Sequence, residues 1–476
     1  MTGREFAPVA VLDCDPRTAQ VYEFGWQSWS PAALYPAGSR SARPMSRLAQ
    51  VMGYRPGRPA PPAGFQGEGL LAVARGEGEP IVIFAAGGPD QVPSIRAKLW
   101  GGRLEVSADG EVQVRFAEKG AEMDRALWSW AASFPGAGLY GREPLPPVWC
   151  SWYCLKDRVT AASVLGAARS ARRRGVPLQV FQVDDGWQRA TGDWWPDRER
   201  FGDLGELARA LRAEGLELGL WLAPFVAAEG SESARRHPDW YRSDLDAGRN
   251  WKGQILVLDL SREEALAHLR GRLEGLADLG VSYFKLDFLY AGALEGEGSG
   301  IAPYRRAMES IRGTLGTKAR IVACGAPLLP TVGLADAVRV GPDTAPNWEP
   351  QGGDLSRPSG RSAHVVCRAR AFTHGRWWAN DPDCLLARPG VENRGRRARQ
   401  LAELAGMTSS GDLPEELDRW GLAVTRRLLR RCESVNIGKS TVHSRHWLAA
   451  LRGNPGSCFT ATRRARPGLT VGSTGS

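Results

Sequence analysis

Carboxylates and their counter-ions are the first residues to weigh. In VSYFKLDFLYAG, residues 281–292, Lys285 and Asp287 stand two apart within a run of aromatic and β-branched residues. Such a run reads as a buried strand, and the two-residue spacing puts both charges on one face. Burying an ammonium and a carboxylate is expensive, so the pair is either a structural ion pair or a chemical one. A second pair, Asp184 and Asp185, ends FQVDDGW. Adjacent strand residues point to opposite faces, so one or both lie on the turn that follows. There a helix N-cap and a grip on neighbouring ligand hydroxyls are both open to Asp185. Asp343 follows Arg339 by four residues in VRVGPDTAPNW, where a Pro-Asp dipeptide also fits a simple turn. Carboxylates placed on either side of a glycosidic bond split its chemistry, one as nucleophile or base and the other as proton donor.

These residues need elements that bring them together. From 147 to about 430 the pattern alternates strand and helix: VWCSWY then TAASVLGAARSARRR, LQVFQVDD then FGDLGELARALRAEG, and so on to MTSS then PEELDRWGLAVTRRLLRR. Eight such units predict an α/β fold, a (β/α)8 TIM barrel. Asp184, Asp185, Trp221, Asp287, Cys324, the 339–343 stretch, Asp381 and Asp383 all fall at the C-terminal ends of predicted strands. In a barrel those ends converge on one mouth, whereas an open sheet spreads them along a line. At a barrel mouth the chemical reading of Lys285 and Asp287 outweighs the structural one. Residues 1–145 show turn signals between short runs such as LLAVA and EVQVRFA, which predicts an antiparallel β-sandwich. PLPPVW (144–149) punctuates the chain, so the barrel is expected over 146–431.

Composition narrows the class. The apolar (43%) and charged (24%) fractions are those of a globular protein. No apolar run approaches the ~18 residues that span a bilayer, and MTGREFAPVAVLDCDP has no apolar core of a secretory leader, so no membrane partner and a cytoplasmic location are expected. The net charge of +10 is concentrated in 434–476, which holds six Lys or Arg and no Asp or Glu. It therefore argues for no nucleic-acid partner of the main domain. Residues 432–476 lose periodicity and predict a poorly ordered basic tail. Eight cysteines without CxxC and six histidines without HExxH predict reduced thiols and no metal site. The 18 tryptophans include pairs that offer flat faces to a ligand as well as core packing.

WQSW (26–29), WCSWY (149–153), FQVDDGW (181–187), GLWLAPF (219–225), YFKLDFLYAG (283–292), CGAPLLPTVG (324–333), VRVGPDTAPNW (338–348) and WWANDPDCL (377–385) occur in this order. In them the chain resembles the glycoside hydrolase family 36 α-galactosidases, the melibiases of short prokaryotic type. The resemblance covers residues 21 to about 430. It implies Asp287 as nucleophile and Asp343 as acid/base. It implies Asp184 and Asp185 on the galactose 4- and 6-hydroxyls, and Lys285 and Arg339 holding hydroxyls and orienting the carboxylates. Trp152, Tyr153 and Trp221 would wall the pocket, Cys324 and Gly325 would approach the 2-hydroxyl side, and Trp29 would reach across from the N-terminal region. No cofactor is implied. A cation beside Asp343 depresses the pKa that an acid needs, so Arg339 is expected to turn away from it toward the substrate.

The implied activity is hydrolysis of terminal α-galactosides by a retaining double displacement. A transferase of the raffinose-synthase kind would share the first step, and a sugar-binding protein on a decayed scaffold would have lost one of the six charged residues. The family's pattern is departed from at both ends: only 25 residues precede WQSW, and the tail does not resemble the family's small C-terminal β-domain.

Overall fold

The computed structural model describes residues 5–43, 46–139, 144–296, 300–404 and 406–430; the expected basic tail lies outside them. Eight short strands run parallel in one sheet. In spatial order they are Ser409–Ser410, Val148–Cys150, Val180–Val183, Glu217–Leu222, Val281–Leu286, Arg320–Ala323, Ala337–Arg339 and Ala379–Asp381. The two outer strands meet: the Met407 N–H donates to the Asn380 carbonyl (2.9 Å), the Leu385 N–H donates to Ser409 (2.8 Å), and Leu385 bridges Ser410 in parallel. Eight parallel strands that curl until their ends pair, with helices between them, fit a (β/α)8 barrel. The interior is filled by Val148, Val180, Tyr283, Val322, Ala337 and Ala379, with Leu145 and Met407 beside them. Gly219 makes room for this filling, because a Cβ there would lie 2.8 Å from the Tyr283 ring.

The intervening helices are amphipathic and capped. In Ala161–Arg173 the Thr160 and Ser163 side chains cap each other's backbone, and Val164, Ala167, Ala168 and Ala171 face inward. Asp203 caps Leu204–Ala213 through the Gly205 N–H, and Asp418 caps Arg419–Leu429 through the Gly421 N–H.

N-terminal to these strands lie two antiparallel sheets. One pairs Ala7–Asp13, Arg103–Ala108, Ser94–Trp100 and Phe65–Glu68; the other pairs Ala33–Pro36, Gln20–Glu23, Leu70–Ala74, Val82–Ala85 and Gln113–Phe116. Period-2 alternation splits the second sheet's side chains between two cores. Val21, Leu71, Val73 and Phe84 join Phe65, Ile95, Leu104 and Val106 of the first sheet. Tyr22, Leu70, Ala72 and Ile83 point the other way, into the core that the parallel sheet and its helices share. The segment expected to be all-β also holds helices at Arg47–Gly53 and Met123–Ala132. In the second, Met123, Leu127, Trp130 and Ala131 recur at helical spacing and are buried, a periodicity masked by the exposed Trp128 between them.

Candidate active site

The fourth strand in chain order, Val281–Leu286, delivers Lys285 and Asp287 to the barrel mouth, both almost fully buried. Asp287 is oriented by donors on both oxygens. The Phe288 N–H donates to Oδ1 at 2.8 Å and the Trp221 indole N–H donates to Oδ2 at 3.0 Å. The turn that permits this places Phe288 at φ 51°, a left-handed backbone that disfavours a bulky residue and concentrates at functional sites. The Lys285 ammonium lies 2.9 Å from Asp184 Oδ2 and 3.9 Å from Asp287 Oδ2. Burial pulls its pKa down, but the two carboxylates overcome this and hold it well above the ordinary value. Burial pushes Asp184 up, yet Lys285, Gln182 and the Asp185 N–H together hold it below the ordinary carboxylate range.

Across the mouth, the strand Ala337–Arg339 leads into Asp343, whose side chain is mostly buried, with 35% left exposed. Burial first and the Asp383 charge second push Asp343 up to about 6, against the pull of Arg339 and Lys285. The expectation that Arg339 turns away from Asp343 is corrected: its Nη1 lies 2.8 Å from Asp343 Oδ1. The guanidinium does not reach into the cavity. Its Nε is held by Asp381 and its Nη2 by Asp383, each at 2.9 Å, because a buried Arg needs an acceptor on every edge.

Asp287 and Asp343 line one cavity of about 200 Å³, together with Asp184, Lys285, Trp29, Trp152 and Trp221. Five of the residues named from sequence back this cavity rather than line it. Asp185 is fully buried, and its carboxylate takes the Trp251 indole N–H (2.9 Å) and the Lys252 ammonium (3.0 Å). Tyr153 donates its hydroxyl to Asp383. The Cys324 thiol is buried, and burial with the nearby Asp287 raises its pKa well above the ordinary value. Gly325 (φ +55°) leaves room for Trp29, whose ring edge lies 3.0 Å from where a Cβ would stand. Arg339, with its three carboxylates, is the fifth.

The cavity also takes residues that sequence reasoning missed: Leu48 and Met52 on the helix Arg47–Gly53, Trp251 at a hairpin tip, Phe288, and Arg357. Trp251 packs against Trp152, the rings tilted by 41° with centroids 4.6 Å apart. Its signal was a tryptophan in the turn-rich stretch AGRNWKGQ, where no core requires one.

The chain has known relatives. A family model described as Melibiase matches residues 115–316. Alpha-galactosidase AgaA of Geobacillus stearothermophilus is 32% identical over 159 residues, 32% of this chain and 22% of that protein. An alpha-xylosidase of Emericella nidulans is 27% identical over 202 residues, 39% of this chain and 24% of that protein. The chain thus spans less than a quarter of the length of these curated relatives in the matched region. TtGalA, an alpha-galactosidase of Thermus thermophilus solved in complex with stachyose, superposes with a TM-score of 0.76 at 30% identity, over 87% of this chain and 91% of that one.

Proposed function

Because the chain belongs to the glycoside hydrolase family 36 α-galactosidases, we propose that it hydrolyses terminal α-galactosyl residues with retention of configuration. Asp287 is the nucleophile and Asp343 the acid/base. In the first step Asp287 attacks the anomeric carbon while Asp343 protonates the leaving oxygen. The resulting ester neutralises Asp287, so the pKa of Asp343 falls and it can take a proton from the attacking water in the second step. The observation that carries this reading is the pairing in one cavity of an Asp fixed by two donors with an Asp whose pKa is pushed up to about 6. One suits a nucleophile that must not reorient, the other an acid that must hold a proton near neutrality.

Asp184 and Lys285 supply polar contacts to the galactosyl hydroxyls, and Trp29, Trp152 and Trp221 enclose the ring. The N-terminal region, read as a β-sandwich domain over 1–145, contributes Trp29, Leu48 and Met52 to a site otherwise built on the barrel, 146–431. Stachyose in the Thermus thermophilus complex makes raffinose-type oligosaccharides the substrates to try first. The direct test is turnover of p-nitrophenyl α-galactoside, with NMR of the first-formed galactose. The α-anomer is expected. A folded chain without turnover, or first release of the β-anomer, would sink the reading. In Asp287→Gly, added azide is expected to yield the β-galactosyl azide, assigning the nucleophile.

A further inference from the structure

Arg339 poses a difficulty for its neighbour. A cation 2.8 Å from Asp343 favours the ionised carboxylate, whereas the first step needs the proton in place. The cluster answers this through sharing. Two of the guanidinium's edges face Asp381 and Asp383, both buried and neither reaching the cavity.

Asp383 is the centre of the arrangement. Its Oδ1 pairs with Arg339 Nη2 at 2.9 Å and accepts from the Cys384 N–H (2.7 Å). Its Oδ2 accepts the Tyr153 hydroxyl and the Thr344 N–H (2.7 Å), the backbone amide adjoining Asp343. The Asp383 N–H in turn donates to Asp381 Oδ1 (2.9 Å). Asp383 adopts φ 71°, a left-handed backbone that a residue with a Cβ holds only when its surroundings impose it.

We propose that Asp383 is a positioning residue for the acid step: it draws the Arg339 charge off Asp343 and, through Thr344, fixes where Asp343 stands. The inference rests on the α-galactosidase reading above. The charged groups facing Asp343 are Arg339, Asp383, Lys285 and Asp287, and Arg357 lines the same cavity. Behind Asp383 stand Tyr153 and the buried Arg397, which donates to the Pro382 carbonyl at 2.8 Å. In the step itself the C1–O bond of the glycoside breaks and a C1–O bond to Asp287 forms. The leaving oxygen keeps the bonding electrons and takes the proton from Asp343, which ends as a carboxylate facing Arg339.

The test compares two leaving groups. Melibiose releases a sugar that needs a proton, whereas α-galactosyl fluoride releases fluoride without one. In Asp383→Asn, kcat/KM for melibiose at pH 7 is expected to fall about 100-fold, the scale of lost general acid catalysis. Its alkaline limb is expected to move roughly one unit to lower pH. Turnover of the fluoride is expected to be spared. Equal losses on both substrates with an unmoved alkaline limb would assign Asp383 a merely structural role and overturn the inference alone. Wild-type protein that turns over neither substrate overturns the galactosidase reading, and this inference with it. If circular dichroism shows that Asp383→Asn does not fold, Asp381→Asn removes the counter-charge at the Nε edge and carries the same comparison, with the same outcomes.

Discussion

A lysine with carboxylates on two sides sets the behaviour of the mouth at the level of single residues. Lys285→Met leaves Asp184 buried without its ammonium, and an uncompensated buried charge costs about 3–5 kcal/mol. Denaturant unfolding at neutral pH is expected to show that loss. The pH dependence has a definite sign. Asp184 is held below its ordinary 3.8, so its contribution is complete above about pH 4 and lost as pH falls through the lower folded value. Lys285 is held above 10.5, so its contribution is complete below that value and lost as pH rises through the higher folded one. In the Met variant stability is instead expected to decline as pH rises past the carboxylate range, because ionising Asp184 then opposes folding. At the other carboxylate, kcat/KM of the wild type is expected to fall above about pH 6 as Asp343 loses its proton. Trp221→Phe removes the indole donor to Asp287 while keeping much of the packing. A hydrogen bond to a charged group is worth about 1.5–3 kcal/mol, so kcat/KM is expected to drop roughly 10- to 100-fold.

Among the elements, the hairpin formed by Arg249–Asn250 and Gly253–Leu258 shows what Asp185 does in this fold. The carboxylate holds the hairpin tip through Trp251 and Lys252, and the tip brings Trp251 onto Trp152 at the cavity wall. If Asp185 acts through the tip, Asp185→Ala and Lys252→Met should both raise KM, with little change in kcat at saturating substrate. A raised KM in Asp185→Ala alone would return Asp185 to direct contact with the sugar. The sequence made the strands and their charged ends legible, because hydrophobic runs closed by Asp or Lys have few other uses. Asp287, Asp343, Asp184, Trp29, Trp152 and Trp221 accordingly share one cavity. It could not show which of two adjacent aspartates faces the cavity, because that depends on the turn after the strand. It also hid Leu48 and Met52, since a seven-residue helix between Pro-rich turns carries too little periodicity to be recognised.

For the whole molecule, the central strands of the five-stranded sheet are buried on both faces, so the N-terminal sheets and the barrel cannot separate without exposing Tyr22, Leu70 and Ile83. Arg370, fully buried, ties them. Its guanidinium donates to the carbonyls of Ser28 (2.7 Å), Ser30 (2.9 Å), Gln27 (3.2 Å) and Val340 (3.1 Å), gathering the loop that carries Trp29 onto the barrel. Gln27 keeps the Ser30 N–H as a donor, but Arg370→Met strips the Ser28, Ser30 and Val340 carbonyls of their Arg370 donor, and at ~1–3 kcal/mol each the expected destabilisation is about 3 kcal/mol or more. Activity is expected to be lost at a lower temperature than helical circular dichroism, as the loop releases before the barrel melts. Coincident losses would count against that order. Nothing in the sequence pointed to this residue, because an arginine serving carbonyls across such a separation leaves no local pattern.

The same contact sets a clock on biosynthesis. Arg370 and Ser28 stand 342 positions apart. At ~5–20 residues per second a ribosome adds the arginine roughly 20–70 s after the loop that it gathers. Through that interval the nascent N-terminal sheets present an uncovered aromatic and aliphatic face. The cavity wall that Trp29 supplies is therefore made well before the barrel residue that seats it.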